Sequence, residues 1–200
     1  MSYLSNLYRG SPADHLLPVW SKTLGITEFY PTTEIENAER RIIELSQLGD
    51  VYHGWCLLKH RPSGRGSAAD AGSAPGFMFD ADLFSEDRTV HSQTALPRSL
   101  SEVVSWLDEA GFERPTQIRS SGNGLYLDWL HPAPMVFTAD TDREAYAKAT
   151  RDFHAALRQS ARERRGWVFD NTGDLARVTR MPGTLNHKTN PPKPVEIINV

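Results

Sequence analysis

The run from Gly76 to Leu83, Gly-Phe-Met-Phe-Asp-Ala-Asp-Leu, constrains the fold more than any other stretch of the chain. It is apolar through Phe79 and follows a Pro-Gly turn signal, the pattern of a short buried strand. Side chains at i and i+2 of a strand share a face, so Asp80 and Asp82 set two carboxylates side by side at its end. Two like charges beside a hydrophobic core are costly unless a cation lies between them. Mg2+ or Mn2+ suits such carboxylate oxygens. Asp-x-Asp at a strand end is also a common turn or helix cap, so the pair alone leaves both readings open.

A chain of 200 residues is long enough for one domain with a sizeable core. No apolar run reaches the roughly 18 residues of a membrane span, and the N-terminus lacks the basic and apolar regions of a signal peptide. Cys56 is the single cysteine, which excludes an intrachain disulfide and a cysteine-rich zinc site. The expected location is the cytoplasm, away from membranes. A net charge of -3 argues against coating nucleic acid by bulk charge. The charge is segregated, however: from Arg151 onward there are nine Lys or Arg against five acids, whereas the first 150 residues carry 13 against 20. A polyanionic partner engaging the C-terminal quarter follows as an expectation.

Periodicity and capping predict a helix from Ser11 to Leu24, with Pro12 at its first position, and another from Thr33 to Leu48, with a Thr33–Glu36 capping box. Val51 to Lys59 has strand composition, and residues 61–75, rich in Gly, Ser and Ala, read as a flexible loop. A helix over Ser99–Gly111 and strands over Gln117–Ser121 and Leu125–Leu130, hinged at Gly122-Asn123-Gly124, come next. Asp140 to Arg165 is the longest helix, with Tyr146, Ala149, Phe153, Ala156 and Leu157 inward. Trp167–Phe169 and Pro194–Val200 read as short strands, and Leu175–Val178 is ambiguous. The interleaving predicts an α/β (α+β) fold: a mixed, largely antiparallel sheet with flanking helices. One domain is expected over 1–200, with a helical part at 1–49 and the core at 50–200.

Three further segments carry chemistry. Arg119-Ser120-Ser121-Gly122-Asn123-Gly124-Leu125-Tyr126 joins two strands; it is either a phosphate-binding turn or an ordinary Asn-Gly hairpin. Trp167-Val168-Phe169-Asp170 ends a second apolar run in a carboxylate, as a third acid or a cap. The stretch from Leu175 to Lys188 packs Arg177, Arg180 and Lys188 around a Pro-Gly turn, where guanidiniums suit bidentate phosphate contacts or a solvated face. At the end of the long helix, Arg158, Arg162 and Arg165 fit either nucleic-acid phosphates or the helix dipole. The histidines form no HxH or HxxxH pair. His15, His53, His60, His91 and His154 read as structural or surface residues, and His131 and His187 as neighbours of the site.

Acid-x-acid on a strand, then Ser-Gly-x-Gly, then apolar-Asp followed by Arg-x-x-Arg-x-Pro-Gly-Thr-x-Asn-x-Lys resembles the archaeo-eukaryotic primase superfamily. The likeness is to the primase-polymerase domains of phage and plasmid replication proteins and spans about residues 50–198. It implies a core with an RNA-recognition-motif-like half, in the N-terminal part of a longer replication protein in which a helicase domain follows. It implies that Asp80, Asp82 and Asp170 hold two Mg2+ or Mn2+ ions. Ser120, Ser121, Gly122 and Gly124 would meet the phosphates of a nucleoside triphosphate, and Arg177, Arg180, Asn186 and Lys188 would line its site. Tyr126 stands where the family usually has histidine and carries no positive charge near neutral pH; Arg119 would compensate. The implied reaction is two-metal nucleotidyl transfer, making or extending primers on a single-stranded DNA template. A non-catalytic single-strand-binding or replication-initiation module, with Tyr126 and Trp129 stacking bases, and a metal-dependent nuclease are the alternatives.

Overall fold

The computed structural model describes residues 2–86 and 95–198. His91 and the last two residues of the expected final strand, Asn199 and Val200, lie outside them. The chain runs α1 (Tyr3–Leu7), β1 (Leu16–Ser21), β2 (Ile26–Pro31), α2 (Ile35–Ser46), β3 (Val51–Gly54), β4 (Leu57–Leu58) and β5 (Ala71–Asp82). After these come α3 (Leu100–Ala110), β6 (Gln117–Ser120), β7 (Gly124–Val136) and α4 (Asp140–Arg165). Short strands close it: β8 (Val178–Thr179), β9 (Leu185–Asn186), β10 (Lys193–Pro194) and β11 (Glu196–Ile198). Nine strands form one sheet in the order β11-β6-β7-β5-β4-β1-β3-β8, with β2 added on β1, and β9 and β10 pair separately. The strand pairs are antiparallel. Among the described residues no helix is long and apolar enough to cross a membrane.

The helix expected over Ser11–Leu24 is absent. Residues 16–31 form a hairpin built into the main sheet, because Pro18 has no N–H for a helix interior and Leu17 and Val19 are both buried. Pro18 also accounts for the division of the expected strand Val51–Lys59 into two. On β1, residues 19–21 pair with β3 and Leu16 pairs with β4, so the proline that cannot donate falls at the gap between them. The helix at 35–46 is present, but a 3-10 turn over Thr32–Glu34 precedes it and no side chain caps it. Leu48, expected inward, is exposed.

Most of the sheet's central length comes from β5 and β7. β5 starts at Ala71, inside the expected loop, where Ala71, Gly72, Ser73 and Ala74 are buried. These small residues serve close packing: a Cβ on Gly72 would lie 2.7 Å from the His15 ring. One hydrophobic cluster joins Leu17, Val19, Val51, Met78 and Tyr126 to α1 and α2. A second lies between the opposite face of β5–β7–β6 and helices α3 and α4, with Phe79, Ala81, Trp106, Leu127, Leu157 and Phe169. The inward stripe of α4 is Tyr146, Thr150, His154, Leu157 and Ala161. Ala149 and Ala156 face outward instead, and Phe153 is half-buried against Trp129 at 4.9 Å. His154, a polar residue, takes the buried position against Phe79, with ring centroids 5.2 Å apart. Trp167–Phe169 is extended but forms no strand; Val168 donates to the Ala95 carbonyl at 3.0 Å.

Candidate active site

Alternation along β5 sends Phe79 and Ala81 into the helix-side cluster and Met78, Asp80 and Asp82 to the other face. Asp80 lies opposite Tyr126 and Asp82 opposite Gly124 on β7. Burial, then the neighbouring Asp82 charge, raises the Asp80 carboxyl to about 6; Arg177, Lys188 and Arg180 pull it the other way. The pair is thus two half-buried carboxylates within the field of three cations.

The hairpin between β6 and β7 is held directly against them. Gly122 has φ +84, and a Cβ there would lie 2.9 Å from Asn186 Cβ, so both the conformation and the contact require glycine. A Cβ on Gly124 would come within 2.7 Å of the Ala81 carbonyl, which places the turn beside the acid pair. Gly122 N–H donates to Ser120 Oγ at 3.1 Å, and Ser121 N–H to the Gly124 carbonyl at 2.9 Å. Asn186 Nδ2 donates to the Ser121 carbonyl at 2.6 Å, while its Oδ1 accepts from Lys188 N–H at 3.1 Å. Asn186 is buried and clamps the turn. It is a positioning residue, and the Pro182-Gly183 turn before it, with Gly183 at φ +87, sets its place.

Arg180 is 3% exposed; its Nη2 donates to Asp50 Oδ1 at 2.7 Å and to Tyr52 OH at 2.6 Å. Its buried Nε meets no acceptor among the described residues. Burial opposes the charge of Asp50, but Arg180 and His187 N–H hold its carboxyl below the usual value. Asp50 ties β3 to the basic segment by accepting from both Arg180 and His187. Asp50 belongs to no spaced motif, so the sequence alone does not single it out. Arg177 is half-buried, with Nε donating to the Thr172 carbonyl at 3.2 Å, and Lys188 is exposed. His187 does neighbour the site, whereas His131 bonds Tyr146 OH at 3.0 Å on the far part of β7.

Several expected residues have other places. Arg119 cannot compensate for a missing histidine: it is fully buried and all five of its N–H groups are engaged. Nε and Nη2 fork onto Asp128 at 2.6 and 2.9 Å, and Nη1 donates to Thr179 Oγ1 and the Arg180 carbonyl at 3.1 and 2.8 Å. The last N–H points at Met78 Sδ, 3.5 Å away. Tyr126 is buried beneath the Arg119 guanidinium, 4.6 Å from its ring centre, and burial followed by Asp80 raises its phenol. Trp129 packs on Phe153 and donates to the Glu113 carbonyl at 2.8 Å. Tyr126, being buried, presents no face for base stacking. Asp170 is exposed, and among the described residues no group of three or more His, Cys, Asp or Glu is placed to hold a metal. Phe169, one residue earlier, packs on Phe79 on the helix side of β5, 5.3 Å between centroids. Arg165 is taken up by Glu109 and lies over Trp167, while Arg158 and Arg162 line a separate cavity.

The donors at the pair are all oxygen, charged and adjacent, a set that fits a hard divalent cation. Cations opposite such a pair suit a polyphosphate. No protein-family profile matches the chain, and none of the curated proteins does. Among solved structures, the chain is similar to the AEP domain of the cyanophage S-2L primase-polymerase. The TM-score is 0.58 at 17% identity, over 98% of this chain and 86% of that one. Weaker likenesses are to the catalytic domain of primase RepB′ in complex with initiator DNA and to primase RepB′. Their TM-scores are 0.44 and 0.46 at 14% and 11% identity, covering 92% of this chain in each case and 76% and 50% of the others. The chain thus shares its fold with that primase-polymerase AEP domain.

Proposed function

We propose that the chain is the catalytic domain of a primase-polymerase, a metal-dependent nucleotidyltransferase that makes or extends primers on single-stranded DNA. The observation that carries this reading is the acid pair on β5, apposed to the 120–124 turn and to Arg177, Arg180 and Lys188, in a fold shared with a primase-polymerase domain. Asp80 and Asp82 are the residues that would hold Mg2+ or Mn2+, which when bound supplies Lewis-acid activation of the primer 3′-hydroxyl and neutralises phosphate charge. Lys188 and Arg177, on the more open side, bind and orient the triphosphate. Arg180, fixed by Asp50 and Tyr52, adds a positive charge at a set position near the pair. The turn backbone, rigid through Asn186, limits how the phosphates approach. The new bond joins the 3′-oxygen to the α-phosphorus; the bond to the leaving pyrophosphate breaks, and the hydroxyl proton passes to solvent.

The reading favours transfer over phosphodiester hydrolysis because three cations face the pair, more charge than one phosphodiester needs. Steady-state incorporation on a primed single-stranded template tests it. Arg177→Ala and Lys188→Ala are each expected to raise the nucleotide KM about tenfold, one lost charge-assisted contact apiece. An unchanged KM in both, or template degradation in place of extension, would overturn the assignment.

A further inference from the structure

Helix α4 carries a second basic site that shares no lining residue with the acid pair. A cavity of about 240 Å3 opens where Arg158, Gln159 and Arg162 face the extended segment Trp167–Phe169, and no Asp or Glu is among its lining residues. Arg158 and Arg162 stand one turn apart, so their guanidiniums share a face of the helix. Arg158 Nε is buried and meets no acceptor among the described residues. The contrast with other arginines is clear: Arg165 is paired with Glu109, Arg143 with Asp140 and Arg114 with Asp108. Gln159 is held by its own partner, Glu163, at 2.8 Å, which leaves the two arginines as the cavity's functional groups.

A buried N–H without an acceptor is unfavourable, and two cations facing one cavity repel unless an anion sits between them. A planar guanidinium fork matches phosphate oxygens bidentately. With no carboxylates in its wall, the cavity has nothing to hold a metal–triphosphate complex. We propose that it is a phosphate subsite for the backbone of the bound nucleic-acid strand. Arg158 and Arg162 grip one phosphodiester while the strand continues past the segment that ends in Asp170. The assignment rests on the nucleic-acid substrate proposed above. It separates Arg158 and Arg162 from Arg165, which the sequence had grouped with them.

The test measures the affinity of a labelled oligothymidylate by fluorescence anisotropy across a salt series, without metal or nucleotide. Arg158→Gln with Arg162→Gln is expected to make the slope of log K against log salt less negative by about 0.7, the loss of one phosphate contact on a single strand. Arg162→Gln alone, at an exposed position, is expected to account for about half of that. Arg164→Gln, exposed on the same helix end but outside the cavity, should keep the wild-type slope. A wild-type slope in the double variant overturns the proposal, as does an equal loss in Arg164→Gln, which would indicate bulk charge. Inorganic phosphate, followed through tryptophan fluorescence, should give no saturable change in the wild type. Saturable binding lost in Arg162→Gln would assign the cavity to free phosphate and overturn the strand assignment. Because no catalysis is read, a failure of nucleotide incorporation leaves this result intact, and the two readings fail separately.

Discussion

Replacing Asp80 and Asp82 together by asparagine is expected to lower nucleotide incorporation by about a thousandfold or more, while leaving the protein folded. The loss corresponds to ~4 kcal/mol or more of barrier, the scale of metal-assisted charge stabilisation. Folding should not suffer, because burial and the neighbouring Asp82 already disfavour the charged form of Asp80 in the metal-free protein. Asparagine keeps the shape and removes the charge. Primer extension assayed beside far-ultraviolet circular dichroism separates the two effects. Retained activity in a folded double variant would remove the pair from the mechanism.

Arg119→Met is expected to act in the opposite sense, on stability first. The variant removes one partner of a fully buried ion pair and leaves Asp128 with a single neutral donor, Gln117 Nε2 at 3.2 Å. Leaving a buried charge uncompensated costs about 3–5 kcal/mol. In a chain of this size that lowers the melting temperature by roughly 6–20 °C. The Thr179 and Arg180 contacts go as well, so β8 loses a tie to β6 and the Arg180 segment loosens. Arg119→Met with Asp128→Leu removes both charges, and should melt well above the single variant, since apolar replacement of a buried pair is often close to neutral. A single variant that melts like the wild type would contradict this account of the interior.

These two expectations mark what the sequence could and could not say. Strand alternation was sufficient to put Asp80 and Asp82 on one face, because that inference is local. Similarly, Asn123-Gly124 announced the β6–β7 hairpin, and α4 ends at Arg165 as expected, with Gly166 as its cap. The role of Arg119 was not legible. Its partner Asp128 lies on the next strand, and which residues of β6 and β7 meet depends on register, set by the turn and by packing from both faces. At the N-terminus Ser11-Pro12 imitates a helix start, although Pro18 inside the run is incompatible with a helix interior. Asp170 shows the same limit. Its segment reads as a strand end, but residues 166–174 form no strand and Asp170 is exposed, so its place depends on a loop path that no local pattern specifies.

Thermal melting of the wild type and Asp80→Asn, with and without Mn2+, tests the metal site most directly. The sign follows from the raised carboxyl. Below its ordinary value near 3.8 the group is protonated in folded and unfolded protein alike, and the two proteins should melt together. As pH rises through about 6 the folded wild type loses stability that the variant keeps. Above that pH, without metal, Asp80→Asn should be the more stable by ~1–3 kcal/mol, allowing for solvent screening at a half-buried group. Excess Mn2+ should reverse the order, stabilising the wild type by mass action and leaving the variant nearly unchanged. The account predicts that reversal; equal Mn2+ stabilisation of both proteins, or none of either, would contradict it.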